Sequence, residues 1–243
     1  MVDAPADAAS LIAPIERYAA EAPRRPAIVS PAGTIDMGTL HARALSGAAW
    51  LVAAGVRPGM IVGLSWRSEP AHLQMLYALA RLSAVVLPLD RDAAVPERGA
   101  LARRVGAEAI VGDHAETAVP GLRSIVPDAG AWTASGPLPP PPGRETPWLF
   151  SLSAGSTGQQ KAILYTHRHE ILRISRLPDL IGAGPEDRYL AVIEIGFNLG
   201  RVAALRMLHY GGMVVFPPPM PDVATLAAVT RDHAISWMVL TPN

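Results

Sequence analysis

Apolar and polar positions along the chain switch between two periods. From Ser10 to Ala20 apolar residues recur at helical spacing, and Ser10 stands where an N-cap would be. Two short runs of strand character, Ala27–Ser30 and Thr34–Met37, flank the turn signal Pro31-Ala32-Gly33. Asp36 is placed to cap a helix that runs to about Ala54, where Gly55 stops it. Met60–Ser65 predicts a strand and Glu69–Leu82 a helix. Ala84–Leu89 is a continuous apolar run bounded by proline and aspartate, the pattern of a strand buried on both faces. Pro96–Val105 predicts a helix with proline in its first turn, and Ala109–Gly112 another strand. Strands alternating with helices imply an α/β fold with a parallel sheet covered by helices.

The run Pro137–Pro142 breaks this pattern. It fits neither a helix nor a central strand and reads as a stiff connector. The expected organisation is therefore a first α/β portion (1–136), a proline-rich connector (137–147) and a second portion (148–243). The second portion opens on two apolar runs around a glycine-rich turn, within Trp148–His167. A helix from about His167 follows, then Met213–Phe216, Asp222–His233 and Ser236–Leu240 as strand, helix and strand. No internal repeat is visible. The sequence stops directly after an apolar strand, with no capping helix or polar tail, as a chain cut short would.

Composition narrows the class. Half of the 243 residues are apolar and 17% are charged, enough for a sizeable core. Twenty-one acidic residues balance 21 basic ones, so no net field draws the chain to nucleic acid or to an anionic membrane. The absence of cysteine excludes disulfides, a thiolate nucleophile and cysteine metal sites. The start carries two aspartates and no basic segment, unlike a signal peptide, and no apolar run reaches membrane-span length. The expectation is a soluble, cytoplasmic protein. Of the 21 lysines and arginines only Lys161 is lysine, and it lies at the glycine-rich turn.

Four chemistries compete for that turn. A P-loop, counted from Gly155, fails at Gln160 and Ala162, where glycine and a magnesium-holding hydroxyl are required. A nucleophile elbow centred on Ser156 would make a serine hydrolase. It needs a helix straight after the serine, whereas Ala162–Thr166 has strand character. A plain hairpin loop would explain Gly155 and Gly158 but not the hydroxyls and lysine gathered around them. A phosphate clamp explains all of them. Gly155 and Gly158 admit backbone N–H groups close to an anion, and Ser153, Ser156 and Thr157 add hydroxyls. Lys161 adds a compact mobile charge that arginine's rigid fork does not equal.

The stretch Ser153-Ala154-Gly155-Ser156-Thr157-Gly158-Gln159-Gln160-Lys161-Ala162, followed by Thr166-His167, resembles the signature of the adenylate-forming enzymes. That family includes acyl-CoA synthetases and the adenylation domains of peptide synthetases. Its signature runs Ser/Thr-Ser-Gly-Ser/Thr-Thr-Gly-x-Pro-Lys-Gly, with Thr-His a few residues on. Ala154, Gln160 and Ala162 depart from the usual serine, proline and glycine. The segment Leu79–Asp90 is similar to the family's Leu-x-Lys-Ala-Gly-Ala-x-x-Val-Pro-Leu-Asp, with Leu82-Ser83 replacing Ala-Gly. Gly55–Leu64 resembles its Gly-Val-x-x-Gly-Asp-x-Val stretch, Phe197-Asn198 falls on the segment lining the carboxylate pocket, and Leu240-Thr241-Pro242 resembles the strand end before the adenine pocket.

The resemblance implies the layered parallel-sheet N-terminal region of that fold and a two-step ligase. A carboxylic acid would attack the α-phosphate of ATP, and the acyl-adenylate would pass its acyl group to coenzyme A or a phosphopantetheinyl carrier protein. It implies that Ser153, Gly155, Ser156, Thr157, Gly158, Lys161 and Thr166 contact the nucleotide, with Lys161 acting in the chemistry, and that Phe197 and Asn198 line the acid pocket. Asn198 replaces the aspartate that pairs with the ammonium in amino-acid-activating members. The implied substrate is therefore an acyl or aryl acid without an α-amino group; alternatively, Asn198 merely caps a helix. The family's adenine-contacting segment with its magnesium-linked acid, its ribose-binding aspartate and its small C-terminal domain would all follow Asn243. Most Mg2+ ligands are thus expected outside this chain, which by itself is expected to be inactive unless a missing C-terminal half joins it. The competing reading is a non-catalytic remnant that binds nucleotide or a partner. His167 and His169 suggest a metal pair but have no third ligand nearby in sequence. His41, His72, His114, His209 and His233 are expected on helix or loop surfaces, and Trp50, Trp66, Trp132, Trp148 and Trp237 as packing residues.

Overall fold

The computed structural model describes residues 8–66, 69–113, 118–153, 161–175 and 183–240. The chain forms two compact units, one of residues 1–42 with 170–243 and the other of residues 43–169. Each is built on its own sheet. The alternating pattern predicts parallel pairing but cannot say which strands meet, and the single sheet it suggests is in fact two.

In the first unit the strand order is β11-β9-β10-β1-β2. β1 (Pro26–Ser30) and β2 (Gly33–Asp36) form the hairpin expected around Pro31-Ala32-Gly33. β1 also pairs parallel with β10 (Met213–Val215), Ile28 against Val214. β9 (Arg188–Leu190) lies parallel to β10 on its other side, and β11 (Trp237–Met238) is parallel to β9. The rings of Tyr189 and Trp237, register partners across β9 and β11, meet edge to face at 5.1 Å. α1 (Ala13–Glu21) packs against α6 (Asn198–His209), which also lies on β9 and β10. Ser10 does not cap α1. The cap position is Ile12, and Pro14 enters the first turn, where a missing N–H costs nothing.

In the second unit the order is β6-β5-β3-β4-β7-β8. β3 (Ile61–Ser65), β4 (Val85–Pro88), β5 (Ala109–Gly112), β6 (Arg123–Ile125) and β7 (Pro147–Ser153) pair in parallel. β8 (Lys161–Thr166) closes one edge antiparallel to β7. α3 (Glu69–Leu82) lies on β4, and α4 (Val95–Arg104) sends Ala102 into a core with Leu87, Leu89 and Ile110. The proline run carries no helix or strand and lies inside this unit, where Arg81 Nη1 donates to Pro139 O at 3.0 Å. Among the described residues, no helix is long and apolar enough to cross a membrane.

α2 (Met37–Ala53) begins as the sequence predicts. Asp36 Oδ1 accepts the Thr39 N–H at 2.7 Å, and hydrogen bonding by Thr39, side chain first and backbone second, holds the carboxyl below the usual carboxylate range. α2 ends at Gly55, whose φ of +80° suits only glycine without strain. α3 ends the same way with Ser83, at φ +61°. The Ser83 N–H donates to Ala80 O and the Ala84 N–H to Leu79 O, both at 3.0 Å. A left-handed residue is needed there, and this chain has serine where the resembling pattern has glycine. Replacing Ser83 with glycine is expected to raise stability by about 1 kcal/mol, read as a higher midpoint in urea unfolding at unchanged slope.

Candidate functional site

The glycine-rich turn is carried by the β7–β8 hairpin. The last residue of β7, Ser153, lies directly opposite the first of β8, Lys161. Directly opposed residues put their side chains on one face of the sheet, with Cβ atoms roughly 5 Å apart. Both residues are exposed, and among the described residues no ion pair engages the Lys161 ammonium. Gly155, Ser156, Thr157 and Gly158 lie outside the described residues. The hairpin does settle two competing readings by its flanks. A P-loop lysine opens a helix, and an elbow serine is followed by one, whereas Lys161–Thr166 is extended throughout.

Thr166 is not brought to the turn. It ends β8, five residues from Lys161, which at strand rise is roughly 17 Å away. Its Oγ1 accepts the His169 N–H at 3.3 Å, while its own N–H donates to His169 Nδ1 at 3.1 Å. This reciprocal pair is a capping box at the start of α5 (His167–Ser175), with histidine in the place of the usual Glu or Gln. Thr166 therefore positions a helix. His169 is committed to that cap. His167 is fully buried, its ring 5.5 Å from that of Trp148, and burial pushes its pKa down to about 4. Of the scattered histidines expected on surfaces, His72 and His209 are in fact buried, at 3% and 2% exposure.

The second predicted group sits at the start of α6. Phe197 is the N-cap, extended and 53% exposed, without a side-chain capping bond. Asn198 is the first helical residue and does not cap the helix. Its Oδ1 accepts two hydrogen bonds instead, from Arg173 Nη2 at 3.1 Å and from Arg201 Nη2 at 3.2 Å. Arg173 is held in turn by Glu170, fully buried, at 3.1 Å. Arg201 is 2% exposed and donates from Nη1 to Gly196 O at 3.3 Å. Burial lowers its pKa to about 10, against the attraction of Glu170 and with the repulsion of Arg173, so it stays cationic at neutral pH. Arg206 donates from Nε to Ile174 O at 3.0 Å, satisfying a carbonyl at the end of α5.

Sequence reading missed Glu170, Arg173 and Arg201. The one signal for Arg201 is an arginine set against the apolar run Val202–Leu205. Gly200 matters here by its size. A Cβ on it would lie 2.4 Å from the carbonyl oxygens of Ile193 and Glu194, so a larger residue would push away the first turn of α6.

The chain belongs to the AMP-binding enzyme family, whose model matches residues 15–243. It is 29% identical over 221 residues to pyochelin synthetase PchE of Pseudomonas aeruginosa, covering 90% of this chain and 15% of that protein. It is 30% identical over 191 residues to a feruloyl-CoA synthase of an Amycolatopsis species, covering 75% of this chain and 39% of that one. The chain thus spans well under half the length of these relatives. The N-terminal subdomain of Klebsiella oxytoca NpsA, solved with 3-hydroxybenzoyl-AMSN, has the same fold. Its TM-score is 0.84 at 22% identity, over 96% of this chain and 60% of that one. A peptide synthetase, FmoA3, solved in an AMPPNP-bound form, matches with a TM-score of 0.82 at 24% identity, over 95% of this chain and 25% of that one.

The buried His167 gives a stability test. Its folded pKa of about 4 lies below the ordinary 6.5, so its neutral form is favoured by folding. The contribution is fully present above about pH 6.5 and is lost as pH falls toward 4, by up to about 3 kcal/mol. Urea unfolding at pH 7 and pH 4.5 should show this loss, and His167→Phe should remove most of the difference.

Proposed function

We propose that the chain is the ATP- and acid-gripping part of an adenylate-forming ligase. The carrying observation is the register of β7 and β8, which sets Ser153 against Lys161 on one face at the root of the glycine-rich turn. In this reading the turn's Gly155, Ser156, Thr157 and Gly158 wrap the β- and γ-phosphates of MgATP. Lys161 is the catalytic residue, neutralising charge on the departing pyrophosphate. A carboxylate oxygen of the acid attacks the α-phosphorus, the bond to the bridging oxygen breaks, and pyrophosphate leaves. A thiol then attacks the acyl carbon and AMP leaves. Protein catalysis here is positioning and charge stabilisation, which a loop of N–H groups and one lysine can supply.

Several findings support this reading. The family is one of AMP-binding enzymes, one neighbour was solved with AMPPNP, and NpsA was solved with an acyl-AMSN compound. The acceptor thiol is proposed to be coenzyme A or a carrier protein. A feruloyl-CoA synthase is among the relatives, and NpsA has been fused to ThdA as an adenylation–PCP di-domain. Mg2+ would arrive with the nucleotide, with most of its ligands expected outside this chain. Phe197 and Asn198 are assigned to the acid pocket, and the neutral Asn198 favours an acid without an α-amino group.

Calorimetric titration of MgATP into this chain tests the phosphate site. Saturable binding is expected, weakened about tenfold or more by Lys161→Ala, a loss of about 1.4 kcal/mol or more. Lys161→Arg should restore only part of it. Equal binding by the wild type and Lys161→Ala, or no binding by a folded chain, would reject the assignment.

A further inference from the structure

We propose that Arg201, together with Arg173, is a specificity-determining positioning residue: the two guanidinium groups turn the Asn198 amide so that its NH2 faces the acid, selecting acids that carry a hydrogen-bond acceptor and rejecting those with an ammonium. The inference rests on the assignment of Phe197-Asn198 to the acid pocket.

The amide's orientation is fixed by its partners. Two cationic donors converge on Asn198 Oδ1, at 3.1 and 3.2 Å. Rotating the amide would aim its own N–H groups at both guanidinium groups and take this acceptor from both Nη2 atoms. The oxygen is therefore taken, and Nδ2 makes no hydrogen bond among the described residues. Asn198 is exposed, so the NH2 is the part available to a ligand. An NH2 group can only donate. It fits a phenolic oxygen, a carbonyl or a second carboxylate, and it cannot serve an ammonium.

Charge acts in the same direction. An ammonium beside Asn198 would sit close to Arg173 and Arg201 and at the positive end of α6, a twelve-residue helix. The buried Glu170 is bonded to Arg173, and its attraction for Arg201 offsets only part of the positive charge of the cluster.

Stability does not explain Arg201. It precedes the buried run Val202–Leu205 in α6, and its own Nε is buried without a hydrogen-bond partner. A leucine would avoid the desolvation cost of a guanidinium, and replacing buried charged groups with apolar ones is often neutral or stabilising. What a leucine would lose is the grip on Asn198 and the hydrogen bond to Gly196 O.

The test compares two probes on this chain by calorimetry, 3-hydroxybenzoyl-AMSN and its phenylalanyl counterpart, with a parallel MgATP titration reporting on the phosphate loop. The wild type should prefer the hydroxybenzoyl probe by about tenfold or more. Arg201→Leu should bring the two affinities within about threefold of each other, whereas Arg201→Lys should keep part of the preference. A generally loosened fold would weaken both probes and leave the ratio in place. If Arg201→Leu does not fold, Asn198→Leu should abolish the preference instead. No preference in the wild type, or the same ratio in the folded variant, would overturn the proposal. If neither probe binds while MgATP does, the pocket assignment falls and this inference with it, leaving the phosphate site standing. If the preference holds but MgATP does not bind, the phosphate site alone falls.

Discussion

The functional account depends on one cross-strand pair. β7 enters the sheet parallel to β4, buried like any central strand, and β8 returns beside it antiparallel. That reversal is what places Lys161 opposite Ser153. Because side chains alternate across a strand, a slip of one residue would send the lysine to the other face of the sheet. The register is pinned from inside, where Trp148 and Leu149 are fully buried and Tyr165 lies opposite Leu149. The outer strand β8 is less protected. Ile163 and Leu164 point to opposite faces and are 51% and 44% exposed, so neither face of β8 is closely covered by the described residues. Packing on β7, rather than burial of β8 itself, therefore sets the geometry of the lysine.

The second polar centre is organised by burial instead of by register. Arg173 and Arg201 converge on one amide oxygen at the start of α6, Arg173 is held by Glu170, and each of the three is wholly or largely withdrawn from water. Such groups carry large desolvation costs that good geometry only partly offsets. Their effect is to hold a small side chain in one orientation. Gly200, which no larger residue could replace without moving the turn, brings the backbone of Ile193 and Glu194 against the same point.

Much of this was legible in the sequence where the physics is local. The Asp36 cap, the Gly55 stop, the β1–β2 turn and the strand character after Lys161 all come from a few neighbouring residues. Pairing was not legible, because Ile28 finds Val214 from the far end of the chain. α6 was legible only as the helix that Asn198 could cap, for a physical reason: residues 200–209 are all buried, so the helix shows no polar face, and two of its inward residues are arginines. β9, three residues long, is too short to show a period. Ser10 misled because a proline in the first turn made a side-chain cap unnecessary. Of the candidate site, the turn and its lysine could be read directly, whereas one partner of Asn198, Arg173, is supplied by a separate helix and the other, Arg201, is hidden in an apolar run. Thr166 matched the signature, but it stands at the far end of β8 from Lys161, where it caps α5.

The lone lysine offers the most direct test. A chain labelled with isotope in lysine alone gives a single side-chain ammonium signal, that of Lys161. The account predicts that this signal moves saturably on addition of MgATP and of magnesium pyrophosphate, and stays in place with adenosine. A signal that ignores MgATP in the folded chain, or that moves equally with adenosine, would contradict the claim that Lys161 holds the phosphates.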